Sequence, residues 1–114
     1  MVQENNKLVW QLENSDADLA KLLRKSLRLV IDPELGLDVI ALGLIRDAVE
    51  NKDGEINIKM ILTTPFCPYA PELISEVTER AESVIKRSVY VELGMEPWDK
   101  SMLEDGIAAE WGLF

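Results

Sequence analysis

The chain is expected to fold as an α+β domain: a two-layer sandwich in the order α-β-β-α-β-α, with helices on one face of a small mixed three-stranded sheet. Three observations predict it. Two long stretches repeat apolar residues at helical spacing, and three short stretches alternate apolar with polar residues. A tight polar turn joins the first two short stretches, whereas a helical stretch separates the second from the third. A two-residue or similar turn makes its strand pair antiparallel, and a helical crossover makes its pair parallel.

The first 14 residues are polar apart from Leu8, Val9, Trp10 and Leu12, and no period decides between a short helix and a strand there. They read as an extension to a single domain over residues 15–114. Ser15, with Asp18 three residues on, offers an N-cap and an acidic first turn. Leu19, Leu22, Leu23, Leu27 and Val30 then repeat at helical spacing, so a first helix is expected over about residues 16–30. Pro33 disfavours the α region at Asp32 and Gly36 adds a second break, leaving residues 32–43 as a loop. Loops of about 12 residues without regular structure are often functional.

Residues 44–50 read as a strand, Asn51-Lys52-Asp53-Gly54 as a turn, and residues 55–62 as a second strand in which Ile56, Ile58, Met60 and Leu62 alternate with Glu55, Asn57 and Lys59. Between residues 69 and 87, Leu73, Ile74, Val77, Ala81, Val84 and Ile85 form one helical stripe. Residues 88–93 alternate again, closing a β-α-β unit whose crossover should be right-handed. Finally Ser101 and Glu104 match a capping box, Leu103, Ile107 and Trp111 share a face, and Gly112 sits where a helix would stop, so a short last helix is expected.

Composition narrows function. The 114 residues weigh 12.9 kDa and carry 12 Lys and Arg against 21 Asp and Glu, a formal charge of −9. A chain of this size buries roughly 65% of its unfolded surface, enough for a real core. Its negative charge repels phosphate backbones and anionic headgroups, so neither nucleic acid nor a membrane is an expected partner. No apolar run approaches the roughly 20 residues that span a bilayer, and residues 1–14 lack the pattern of a secretion signal. A cytoplasmic location is the expectation. One cysteine excludes an internal disulfide, and the absence of histidine removes the commonest metal ligand and the usual general base.

Chemistry then falls on Cys67, placed between the second strand and the second helix within Leu62-Thr63-Thr64-Pro65-Phe66-Cys67-Pro68. Free N–H groups and the positive dipole end at a helix start favour the thiolate, which is both nucleophile and metal ligand, so this thiol is expected to be more acidic than a free one. Pro65, Pro68 and Pro71 stiffen the approach. Thr63 and Thr64 have hydroxyls able to bond a sulfur or a ligand. The blander reading makes Cys67 a small buried hydrophobe, the threonines ordinary strand residues, and Asp32-Pro33-Glu34 the end of a helix.

Four blocks taken together, Asp32-Pro33-Glu34-Leu35, Leu42-Gly43-Leu44-Ile45, residues 62–68, and Pro97-Trp98-Asp99-Lys100-Ser101-Met102, resemble the metal-sulfur cluster assembly factor family. That family includes SufT-type and PaaD-type proteins and the cytosolic iron-sulfur targeting factors, and the resemblance covers residues 16–112. It implies an iron-sulfur cluster assembly domain fold. It also implies that Asp32, Glu34, Thr63, Thr64 and Cys67 share one shallow site. Two positions depart from the pattern: Phe66 replaces a common glycine before the cysteine, and Arg46 replaces a common aromatic.

The resemblance implies a non-catalytic auxiliary factor in iron-sulfur cluster biogenesis, helping to deliver clusters to recipient apoproteins or to mature them. Its partners would be iron-sulfur assembly proteins and those recipients. A cluster normally needs four ligands, mostly thiolates, whereas one chain supplies one cysteine and no histidine. No cluster is therefore expected to be tightly bound. A transient cluster contact at Cys67, with a homodimer supplying a second thiolate, is the form this reading takes; carboxylates such as Asp32 and Glu34 are harder, poorer ligands. The alternative is an adaptor or assembly subunit for a metalloenzyme with no metal contact of its own, for which Phe66, Tyr69 and Trp98 are the candidate partner-binding aromatics, with Trp111 and Phe114 also considered. A thiol enzyme is not expected, because the chain has neither a histidine base nor a resolving cysteine, and zinc binding fails for want of ligands.

Overall fold

A computed structural model describes residues 9–64 and 68–104 of the chain. The elements in order are α1 (Gln11–Ser15), α2 (Ala17–Leu27), β1 (Ile45–Glu50), β2 (Ile56–Met60), α3 (Ala70–Ile85) and β3 (Val89–Leu93), followed by a 3-10 turn, Lys100–Met102. The sheet order is β1-β2-β3, with β2 antiparallel to β1 and parallel to β3. This is the expected mixed three-stranded sheet.

Alternation in the strands decides which face is covered. Ile56, Ile58 and Met60 of the central strand are fully buried, while Lys59 between them is exposed. The buried stripe of α3, Leu73, Val77, Ala81 and Ile85, recurs every four residues and supplies the opposing layer with Leu23 and Leu27 of α2. Ser26 joins the two helices by donating its hydroxyl to the Arg80 carbonyl at 3.2 Å. Burying a Leu or Ile side chain contributes about 1.5–3 kcal/mol, so this two-layer core is the main source of stability. The turn between β1 and β2 closes as expected: Asn51 Oδ1 accepts from the Asp53 and Glu55 N–H groups, and Gly54 takes the left-handed backbone at φ +83°.

Four local expectations are corrected. The first helix begins at Ala17, with Asp16 rather than Ser15 as its cap; the Asp16 carboxylate accepts from the Leu19 N–H at 3.1 Å, whereas the Ser15 hydroxyl turns back to the Leu12 carbonyl. It also ends at Leu27, and the chain reaches Val30 through two tighter turns. Leu22, placed on its apolar stripe, is 42% exposed, the packed side being Ala20, Leu23 and Leu27. At the other end Ser101 is not a helix cap. Asp99 caps a single 3-10 turn by accepting from the Ser101 N–H and hydroxyl, and Leu103 already has extended backbone. Glu104, expected to complete the capping box, instead makes a two-pronged contact with Arg28 at 2.9 and 2.7 Å. Ile107, Trp111, Gly112 and Phe114 lie outside the described residues.

Residues 9–15 carry more than their polarity suggested. Trp10 and Leu12 are buried in the central cluster, and α1 lies against β1 and α2. The Trp10 ring N–H donates to the Ile45 carbonyl at 3.2 Å, and Arg24 stands 4.0 Å above the ring. Gln11 donates from its backbone and side chain to the Asp47 carboxylate at 2.8 and 2.7 Å. These contacts tie α1 to the first residues of β1.

Candidate functional site

The loop between α2 and β1 is built around a carboxylate. Ile31 and Asp38 form an isolated bridge, and inside it the Asp32 N–H donates to the Leu37 carbonyl at 2.9 Å. Asp32 Oδ1 accepts from the Glu34 N–H at 2.8 Å, an Asx turn that spans Pro33. Gly36 closes the loop from the left-handed region, φ +75°, by donating to the Asp32 carbonyl. Asp32 is 1% exposed, the one buried charged side chain among the described residues, and no cation pairs with it there. Burying an unpaired carboxylate is costly unless hydrogen bonds hold it, which is the role of the Asx turn.

Its second oxygen looks elsewhere. Asp32 Oδ2 accepts from the Thr63 hydroxyl at 3.4 Å, a long contact that bridges 31 residues of sequence. Thr63 lies just past the end of β2, so the parallel strand order sets this meeting at the end of the sheet from which α3 departs. Thr64 is half-buried beside it. Glu34 contributes its backbone N–H, while its side chain is exposed. Tyr69, on the far side of the 62–68 segment, is 45% exposed and immediately precedes α3. Phe66 and Cys67 lie outside the described residues. The structure thus brings Asp32 and Thr63 together and leaves the Glu34 carboxylate at the surface.

A strap from the C-terminal side holds the loop in place. The Trp98 ring N–H donates to the Leu42 carbonyl at 2.8 Å, so this half-buried candidate anchor is also tied to the fold. The Glu104 N–H donates to the Ala41 carbonyl at 2.9 Å. Gly43 sits under the strap at φ +74°, where a Cβ would stand 2.2 Å from the Met102 carbonyl oxygen. Asp38 completes the loop by accepting from the Ile40 and Ala41 N–H groups at 3.0 and 2.9 Å. Arg28, whose pKa is raised above the ordinary arginine value chiefly by the hydrogen bond to Glu104, also stands 3.6 Å from Asp38. The reading of the sequence missed Asp38 and Gly43 as scaffolding residues. An Asx-cap at Asp38 was the available signal, since Asp is favoured where a side chain must catch N–H groups two and three residues on.

Among the described residues, no three His, Cys, Asp or Glu side chains converge as a metal site. A shallow depression of about 590 Å³ exists, but it is lined by Glu50, Asp53, Gly54, Glu55, Arg87 and Ser88, at the hairpin end of the sheet and away from Thr63.

The sequence profile of the iron-sulfur cluster assembly protein family matches residues 22–93. The chain belongs to that family. Membership bears out the resemblance carried by the four blocks, and the matched span contains Asp32, Glu34, Thr63, Thr64, Phe66, Cys67 and Tyr69 but stops short of Trp98. Among curated relatives, an Fe-S protein maturation auxiliary factor of Porphyromonas gingivalis is 38% identical over 100 residues, covering 86% of this chain and 91% of the relative. The Fe-S protein maturation auxiliary factor SufT of Staphylococcus aureus is 36% identical over 77 residues, 66% of this chain and 88% of its own length. The family fold is also seen in a solved domain of unknown function, DUF59, from Bacillus anthracis, which superposes with a TM-score of 0.77 at 27% identity and covers 89% of this chain and 98% of that one.

Proposed function

We propose that this family member is a non-catalytic auxiliary factor in iron-sulfur cluster biogenesis, which assists cluster delivery to recipient apoproteins through Cys67. The carrying observation is the contact between Asp32 and Thr63. A buried carboxylate with no cation partner among the described residues is joined to the hydroxyl that opens the segment bearing the cysteine. Maturation factors that match 86% and 66% of the chain support the same reading. In it, Cys67 contacts the cluster as cargo, Asp32 and Thr63 hold the segment in place, Thr64 and Glu34 border the site, and Phe66, Tyr69 and Trp98 meet the partner.

The cluster is held briefly. One thiolate per chain falls short of the four ligands a cluster normally takes, so the cargo is shared with a donor, a recipient or a second copy, and leaves readily. The partners are iron-sulfur assembly proteins and recipient apoproteins, and the compartment is the cytoplasm. No described helix is long and apolar enough to cross a membrane. Anaerobic reconstitution followed by desalting tests the role of the cysteine: wild type should show a labile charge-transfer absorbance that Cys67→Ala lacks. Equal, stable absorbance in both would refute it. Client capture that survives Cys67→Ser, together with unchanged client maturation, would favour the adaptor instead.

A further inference from the structure

Exposed apolar side chains gather at one place on the helical layer. Along the outer face of α2, Leu22 is 42% exposed and Leu29, just past the helix, 58%. Lys25 stands in the same row, three residues from one and four from the other, with Lys21 beside Leu22. Both lysines are exposed, and neither makes an ion pair among the described residues. Ile31, 46% exposed, lies at the Leu29 end: it bridges Asp38, which stands 3.6 Å from the Arg28 guanidinium. A single exposed leucine needs no explanation, but three apolar side chains interleaved with two unpaired cations form a surface with a definite complement. That complement is both apolar and acidic.

We infer that residues 105–114 of the same chain fold back onto this face of α2. The strap delivers them there. Glu104 is the last described residue, with its N–H on the Ala41 carbonyl and its carboxylate on Arg28, beside Leu29 and Ile31. The residues that follow include Ile107, Trp111, Leu113 and Phe114 to meet the apolar side chains, and Asp105 and Glu110 to meet the lysines. Reach is sufficient: Lys21 lies about 10 Å along the helix from Arg28, whereas residues 105–114 span about 15 Å even at the short rise of a helix. A tether this short holds the segment over the face at an effective concentration on the order of millimolar, which favours it over a free partner. Charge steers it the same way. The neighbouring helix α3 carries Glu72, Glu76, Glu79 and Glu82 against Arg80, and the whole chain stands at −9, so the cationic row on α2 is where an acidic segment settles. Seated there, the segment covers Leu22, Leu29 and Ile31 and prolongs the strap that holds residues 41–43. The contact does not involve Cys67.

Fluorescence of Trp111 in the full chain tests the contact, isolated as the difference between wild type and Trp111→Phe, and it reads the same whether or not Cys67 carries a cluster. In wild type this emission should lie to the blue and be shielded from acrylamide. Leu29→Ser, or Lys21→Glu with Lys25→Glu, should move it to the red and raise quenching several-fold. The circular dichroism spectrum should stay unchanged, because these side chains are exposed and stand outside the core. Salt should weaken the shielding in wild type. Urea unfolding supplies a second readout: Leu29→Ser and Trp111→Ser should each lower the midpoint, and the double variant should lose less than the two separate losses combined, as residues in contact do. A Trp111 as open to acrylamide in the folded wild type as in urea would overturn the inference. Shielding that neither set of α2 substitutions alters would do so too, by seating the segment elsewhere. Shielding that vanishes on dilution would equally count against it, by assigning the contact to a second copy.

Discussion

Asp32 shows how one residue joins scaffold to site. One oxygen shapes its own loop and the other reaches Thr63 across the fold. Asp32→Ala leaves the Glu34 N–H and the Thr63 hydroxyl without an acceptor and should destabilise the protein by about 1–3 kcal/mol in urea unfolding, whereas Asp32→Asn keeps an acceptor and should lose less. Equal losses would mean that the charge, rather than the hydrogen bonds, is what the loop requires. Gly43 is the second residue on which the loop rests. Gly43→Ala adds a left-handed backbone penalty of about 1–2 kcal/mol and drives a methyl into the Met102 carbonyl. Gly54→Ala incurs only the first, because nothing lies within 4 Å of its Cβ position. The prediction is a larger drop in unfolding midpoint for Gly43→Ala, and matching drops would remove the strap contact from the account. The turn chemistry of Asp32-Pro33 is local, and so is legible in sequence. Its contact with Thr63 is not, because a pairing across 31 residues has no period and no neighbouring signal.

At the scale of elements, strands and the long helix were readable because each buries one face of a regular repeat. β2 and α3 match their expected stretches to within a few residues, the ends being trimmed where the ladder or helix loses its partners. The short elements were harder. Trp10 and Leu12 are too few to show a period, yet both are buried, so helix α1 is a product of tertiary packing rather than of propensity. Trp10→Ala should cost about 3–5 kcal/mol, and a chain begun at residue 15 should unfold at markedly lower urea than the full chain. A truncated chain of unchanged stability would return residues 9–14 to the standing of an extension. The Ser101–Glu104 capping pattern failed for a different reason: Asp99 competes for the Ser101 N–H, and Arg28 competes for the Glu104 carboxylate. That ion pair is half in solvent, so Glu104→Gln should cost only about 0.5 kcal/mol, and less at high salt. Because the Arg28 pKa is raised, its share of stability is fully present below the ordinary arginine value and is lost only as pH climbs through the higher folded value. A stability profile flat in this pair across neutral pH is the consequence.

For the whole molecule, the helices cover one face of the sheet, and the candidate site stands at the end where β2 hands over to α3. Ligand arithmetic from the sequence already limited each chain to one thiolate, and that limit follows from composition alone. The place of β3 at the end of the sheet was less legible, since its alternation looks like that of β2 until the strand order is known. The most direct measurement is the rate at which an apo iron-sulfur enzyme regains activity under anaerobic conditions when given cluster-loaded wild type or Cys67→Ala. Wild type should restore activity, and Cys67→Ala, folded equally well, should fall to the rate of free iron and sulfide. Full restoration by the alanine variant would contradict this.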